Sequence, residues 1–165
     1  MATFDFTNQQ QGLPWDGRNK VLQLRNLVDF SGDNIGGSGM TAGMTSSQTA
    51  EIFDIPEGVL LIQASCRVVT TEGGASTGHS LGVLIPPAAI SASALIATIN
   101  AGAAVGVTTL STLALESFVN TTTLAGGSVV FTAGATIAAA KLEFQAICID
   151  LRTEVKPTLS YPATT

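Results

Sequence analysis

From Thr49 onward, apolar positions in this chain recur with a period of two, in runs broken by glycine and proline. Such alternation marks half-buried β-strands, because successive side chains of an extended backbone point to opposite faces. Glu51–Ile55 reads as a short strand that stops at Pro56-Glu57-Gly58, where proline fixes φ and glycine can take a positive value. Val59–Thr71 (VLLIQASCRVVTT) is a long strand, with Leu60, Ile62, Ala64, Cys66 and Val68 on one face and Leu61, Gln63, Ser65 and Arg67 on the other. The segment Glu72-Gly73-Gly74-Ala75-Ser76 reads as a hairpin connection into a strand over Thr77–Ile85. Pro86-Pro87 ends that strand, since no central strand continues through two prolines. Upstream, Val21–Phe30 (VLQLRNLVDF) alternates and then changes phase at Leu27-Val28, which predicts a strand with a bulge. Ser128–Ala133 and Thr136–Arg152 are the closing strands. In the second, Leu142, Phe144, Ala146, Cys148 and Asp150 share one face, and both faces turn apolar after Gln145, as in a strand covered on both sides.

Residues 88–127 are harder to read. Ile90–Asn100 and Thr108–Asn120 fit a short helix or a buried strand by period alone, and their Ser, Thr and β-branched content favours strand. Several short strands with Gly/Pro turns and no long amphipathic helix predict an all-β fold, an antiparallel β-sandwich of jelly-roll type. The expected organisation is an extended N-terminal arm (1–19), a single sandwich domain (20–152) with a Gly-rich loop insert (31–48), and an extended tail (153–165). The insert contains Gly32, Gly36, Gly37, Gly39 and Gly43 and reads as a flexible loop. No Lys follows these glycines in a strand-to-helix context, so a phosphate-binding loop is not indicated. The arm is polar and Gln-rich but carries Phe4, Phe6, Leu13 and Trp15. These either anchor the arm on a partner or fold back on their own domain.

Charge changes the picture. Charged residues make up 12% of the chain, and between Glu72 and Lys141 the one formal charge is Glu116. Soluble monomers carry about a quarter, partly because charges keep sheet edges from pairing. So long a neutral stretch is expected to be covered, by copies of the chain or by another protein. The net charge of −5 and the scattered Lys and Arg exclude a nucleic-acid footprint. Aromatics at 5% leave little from which to line a small-molecule pocket, although mean hydropathy is high at +0.40. Residues 88–107 form an uncharged window, yet Ser91, Ser93, Thr98, Asn100, Gly102 and Gly106 interrupt it and no basic or aromatic belt flanks it, so a membrane span is not expected. Met1–Gln11 lacks the basic and apolar regions of a signal peptide.

Candidate chemistry is sparse. Cys66 and Cys148 each lie within an apolar run, either as small buried thiols or as a disulfide between neighbouring strands. With two cysteines and one histidine there is no zinc signature. Any acid–base chemistry through histidine must use His79, which has no evident orienting carboxylate and reads as a packed or solvated side chain. Asp29, Asp33, Glu51, Asp54 and Glu57 could gather around a cation but lack the spacing of a calcium loop. No catalytic residue, cofactor or metal is therefore assigned, and the chain is not expected to be an enzyme.

The stretch Ile52–Val83 (IFDIPEGVLLIQASCRVVTTEGGASTGHSLGV) resembles the small β-sandwich proteins that decorate tailed-phage capsids. The features carrying the resemblance are the Ile55-Pro56-Glu57-Gly58 turn, the long strand Val59–Val69, Thr70-Thr71, the Glu72-Gly73-Gly74-Ala75 hairpin and the returning Leu81-Gly82-Val83. Gly134–Arg152 is similar to the closing strand of such sandwiches. The resemblance implies a decoration or head cement protein made in the host cytoplasm and seated on the outer capsid surface of the virion. It implies a homotrimer, with the major capsid protein as partner. The rival expectation is a carbohydrate- or receptor-binding sandwich of a viral fibre or tail, disfavoured because Trp15 and Tyr161, near the ends, are the only aromatics besides phenylalanine.

Overall fold

The computed structural model describes residues 3–5, 11–12, 21–32, 43–85, 90–111 and 126–150. Ten strands are present among them: β1 (Thr3–Asp5), β2 (Gln11–Gly12), β3 (Val21–Asp29), β4 (Thr49–Ile55), β5 (Val59–Thr70), β6 (His79–Leu84), β7 (Ser91–Ile99), β8 (Thr108–Leu110), β9 (Gly127–Thr132) and β10 (Lys141–Asp150). They form two five-stranded sheets, sheet A in the order β1-β4-β9-β6-β7 and sheet B in the order β2-β3-β10-β5-β8. Without β1 and β2, the orders β4-β9-β6-β7 and β3-β10-β5-β8 are those of an eight-stranded jelly roll, all neighbours antiparallel. The all-β sandwich expected from the alternation is thus the fold adopted. β1 pairs in parallel with Thr49–Glu51 at one sheet's edge, and β2 pairs with Leu24 and Arg25 at the edge of the other. Among the described residues no helix is long and apolar enough to cross a membrane.

The core lies between the sheets. Phe131 of β9 meets Phe144 of β10 edge-on at 5.6 Å, Phe30 at 5.4 Å and the His79 ring at 5.5 Å, tying sheet A to sheet B through aromatic contacts. Ile52, Phe53, Ile55, Leu61, Leu81, Leu95, Ile99 and Leu142 complete it. At the β4–β5 turn, Gly58 has φ +81° and Val59 N–H donates to Pro56 C=O, so the sequence signal of proline and glycine is realised as a closed turn.

Several local expectations are corrected. β3 has no bulge: its register with β10 is continuous from Val21 to Asp29. The phase change arises because Asn26 is buried, donating to Ile52 C=O at 3.0 Å, while Leu27 stays exposed. β5, on the other side of β10, is irregular instead, with an extra residue at Val69 and another at Ile62. Ile147 faces Gln63 but Cys148 faces Leu61, so Ile62 is the extra residue and the inward set switches from Val59 and Leu61 to Ala64, Cys66 and Val68. Leu61 is therefore core, and Leu60 and Ile62 are half-buried. Ile147 and Ile149, on the outward face of β10, are half-buried too. That strand starts at Lys141 rather than Thr136, because the backbone of 136–140 is spent on other partners. Ile137 pairs with Met44, and the amides of Ala138, Ala139 and Ala140 turn to Glu72. The Gly-rich insert is not free over its whole length. Gly43–Gln48 is pinned by Met44–Ile137, Gly43–Phe30 and Ser47–Ala133 hydrogen bonds, with the Met44 side chain in the core. Residues 33–42, 112–125 and the tail lie outside the described residues.

The neutral middle also divides. In β6 and β9, His79–Val83 and Val129–Phe131 are buried by this chain alone, on both faces of the sheet, which explains their lack of charge without a partner. The segment from Asn100 to Leu110 is different, being largely exposed.

Candidate functional site

The antiparallel connectivity brings the β3–β4, β5–β6, β7–β8 and β9–β10 connections to one end of the sandwich. Their backbones are hydrogen-bonded together: Phe30 to Ala140, Glu72 to Ala101, Ala101 to Ser76, and Met44 to Ile137. Glu72 is the charged centre of this end. Its carboxylate accepts the amides of Ala138, Ala139 and Ala140 at 3.0, 2.9 and 2.9 Å. Burial alone would raise its pKa, but the three amides outweigh burial and hold it below the usual carboxylate range. The connection that follows Glu72 exposes Gly73, Gly74, Ala75, Thr77 and Gly78, none of them charged.

His79 lies beneath, fully buried. Gly134 N–H donates to its Nδ1 at 3.3 Å, so Nε2 carries the proton and donates to Ser76 Oγ at 2.7 Å; that hydroxyl donates onward to Thr136 C=O at 3.0 Å. Burial pushes the His79 pKa down, against the opposing pull of Ser76 and Glu72. A serine and a histidine in contact are the parts of a nucleophilic pair. Here both are buried and the serine proton is committed to a carbonyl, so the arrangement ties loops together and presents nothing to a substrate. His79 is a packed residue, one of the two readings its sequence context allows.

The candidate cation ligands are dispersed. Asp29 bonds Ser31 and Lys141, Glu51 accepts the Ser128 hydroxyl at 3.1 Å, and Asp54 and Glu57 are exposed near the opposite end; Asp33 lies outside the described residues. Burial would raise the Asp29 pKa, but Lys141 and Ser31 together hold it low. Among the described residues no group of three His, Cys, Asp or Glu side chains could hold a metal ion. Cys66 and Cys148 are free and buried, and in the ladder Cys66 faces Phe144 while Cys148 faces Leu61, so they are not cross-strand partners. Burial pushes both thiols up to about 12.

On the outer face of sheet B, Glu143 of β10 is held by Arg25 of β3 and by Arg67 of β5, the latter at 3.7 Å. Its side chain is 2% exposed although it points away from the core, because the two arginines lie over it. Sequence reasoning missed this ladder and the Glu72 cap. The signal for the ladder was present: Arg25, Arg67 and Glu143 all occupy the outward parity of their strands, but only strand order makes them neighbours. Of the arm residues expected to bind a partner, Phe4 falls in β1, whereas Phe6, Leu13 and Trp15 lie outside the described residues.

No family model matches the chain, and no curated protein matches it in sequence. Two solved structures share its fold. One, described as the capsid of Ralstonia phage GP4, superposes with a TM-score of 0.64 at 13% identity, covering 92% of this chain and 100% of that one. The other, the cyanophage Pam1 capsid asymmetric unit, gives a TM-score of 0.55 at 16% identity over 86% of this chain and 93% of that one.

Proposed function

We propose that this chain is a structural protein of a phage virion, a decoration or cement protein that self-associates as a homotrimer and attaches to the major capsid protein on the outer surface of the head. The observation that carries the reading is the jelly-roll likeness to the capsid chain of Ralstonia phage GP4, which spans the whole of that chain and 92% of this one. Two features of the molecule support a structural rather than catalytic role: its Ser76–His79 pair is sealed, and its β5–β6 connection exposes small uncharged residues beside Glu72, which braces the β9–β10 connection. A trimer would present three such surfaces to a shell, so avidity compensates for weak single contacts. The arm, through Phe4, Phe6, Leu13 and Trp15, is proposed to reach a neighbouring subunit.

The test is reconstitution of phage heads that lack this chain, read by co-sedimentation and electron cryomicroscopy. Saturable density at symmetry-related positions on the outer surface is expected. Removing residues 1–19 should leave the melting temperature nearly unchanged and speed dissociation from the heads. Absence of binding to heads at saturating concentration would overturn the proposal, and an unchanged dissociation rate would overturn the role of the arm.

A further inference from the structure

We infer that the β9–β10 connection, residues 133–140, is an acid-released flap and that His79 is its trigger. The inference stands apart from the virion role proposed above, because it needs nothing outside a single chain.

Both titratable groups buried or half-buried at this end hold the same connection. Glu72 accepts the amides of Ala138, Ala139 and Ala140, and the His79–Ser76 pair takes Gly134 N–H and Thr136 C=O. Between and beside them, Ile137 exchanges two backbone hydrogen bonds with Met44, and Ala133 C=O accepts from Ser47 N–H. Donor and acceptor roles around the ring run in one direction. Gly134 N–H can only donate, so Nδ1 must accept, and Nε2 then donates to Ser76 Oγ, whose own proton goes to Thr136 C=O. A neutral ring satisfies every partner.

A second proton breaks that pattern. It sits on Nδ1, 3.3 Å from the Gly134 nitrogen, so two donors face each other with no acceptor between them. The ring is fully buried, and an imidazolium there gives up its hydration without a new hydrogen bond. It has little freedom to turn away: it stacks on Phe131 at 5.5 Å, and Gly134 lies too close to Gly78 and His79 to admit even a Cβ. Of the surrounding charges, Glu72 favours the imidazolium through its field, but its Oε2 is already taken by three amides. Asp29 of β3 and Lys141 of β10 pair with each other, and the neighbours on β7 and β9, Ile99 and Phe131, carry no charge. The conflict is relieved when Gly134 moves off, which lifts the connection and frees Met44 with it.

The direction of the pH effect follows. Burial holds the pKa of His79 in the closed form below its ordinary value of about 6.5, so the open form binds more protons. The closed form is fully favoured above that value and loses ground as pH falls through the folded pKa. Glu72, held below the usual carboxylate range, stays charged over this interval. Stronger acid protonates it as well and weakens the second tie, so the two groups act in the same sense.

Amide hydrogen exchange of the full chain between pH 7.5 and 5, followed by NMR and corrected for intrinsic rates, tests the inference. Protection of the Gly134, Ile137 and Met44 amides should fall several-fold, with a limit of about thirtyfold set by an open-state pKa of about 6.5. Phe144 in β10 should stay protected. The nitrogen spectrum of His79 should show the Nε2–H tautomer at pH 7.5. In His79→Asn, whose Oδ1 can accept from Gly134 but does not titrate, the pH dependence should vanish, whereas Glu72→Gln should keep it. Should His79→Asn fail to fold, His79→Gln replaces it, and the wild-type measurements decide by themselves if neither folds. Protection that changes less than twofold in the wild type overturns the inference. So does an imidazolium formed while Gly134 and Ile137 stay protected, a pH dependence that survives in the His79 variant, or one that disappears in Glu72→Gln.

Discussion

Replacing Glu72 with Ala removes one carboxylate oxygen that accepts three consecutive amides, those of Ala138, Ala139 and Ala140. Ala138 and Ala139 are exposed, so water can satisfy their amides in the variant, but Ala140 is buried and its N–H is left stranded. Hydrogen bonding to a charged acceptor contributes about 1.5–3 kcal/mol, and an orphaned buried donor costs a similar amount. Counting the stranded amide fully and the hydrated ones little gives a loss of about 2 kcal/mol, which at a urea m-value of about 2 kcal/mol/M moves the midpoint down by about 1 M. Glu72→Gln keeps an acceptor but no charge and should lose about half as much. The effect must also depend on pH. The folded pKa of Glu72 lies below its unfolded value, so its contribution is complete above about pH 4.3. It then fades as pH falls through the folded value. Urea unfolding of the wild type and Glu72→Ala at neutral pH and at successively lower pH should therefore show a gap that narrows in acid. A variant within about 0.5 kcal/mol of the wild type at pH 7, or a gap that persists undiminished below the folded pKa, would refute the assignment of Glu72 as the brace of this end.

Three further outcomes follow from the same packing. Gly82→Ala places a methyl group on the carbonyl of Ser91, where β7 crosses β6 closely, so it should lose about 3 kcal/mol or fail to fold, read by thermal melting. Cys66 and Cys148, buried with thiols pushed up to about 12, should resist iodoacetamide at pH 8 in the native protein and react fully in urea, as counted by mass spectrometry. Rapid native labelling of either would contradict their burial. Arg25→Ala should destabilise more than Arg67→Ala, since Arg25 makes the closer contact with the buried Glu143 carboxylate, and the pair should couple non-additively by about 0.5 kcal/mol or more in a double-mutant cycle.

What the sequence determined by itself was local. Period-two alternation and the turn residues fixed the class of fold and placed β4, β5 and β9 to within about two residues, because a strand's two faces and a proline's φ are properties of short segments. The free state of the cysteines, the closed role of His79 and the neighbours of Glu143 could not be read that way. Each depends on which strands lie side by side, and strand order in a jelly roll joins segments far apart in the chain. The bulge shows the limit most clearly: apolar residues at Leu60, Leu61 and Ile62 allow either face to be the inner one, and only pairing with Ile147 and Cys148 of β10 chose Leu61. Tertiary structure likewise divided the neutral middle. β6 and β9 lack charge because the sandwich encloses them on both faces, whereas Val105, Val107 and Leu110 lack it while facing outward. Neither stretch carries a formal charge; burial, which only the packed sheets decide, is what separates them.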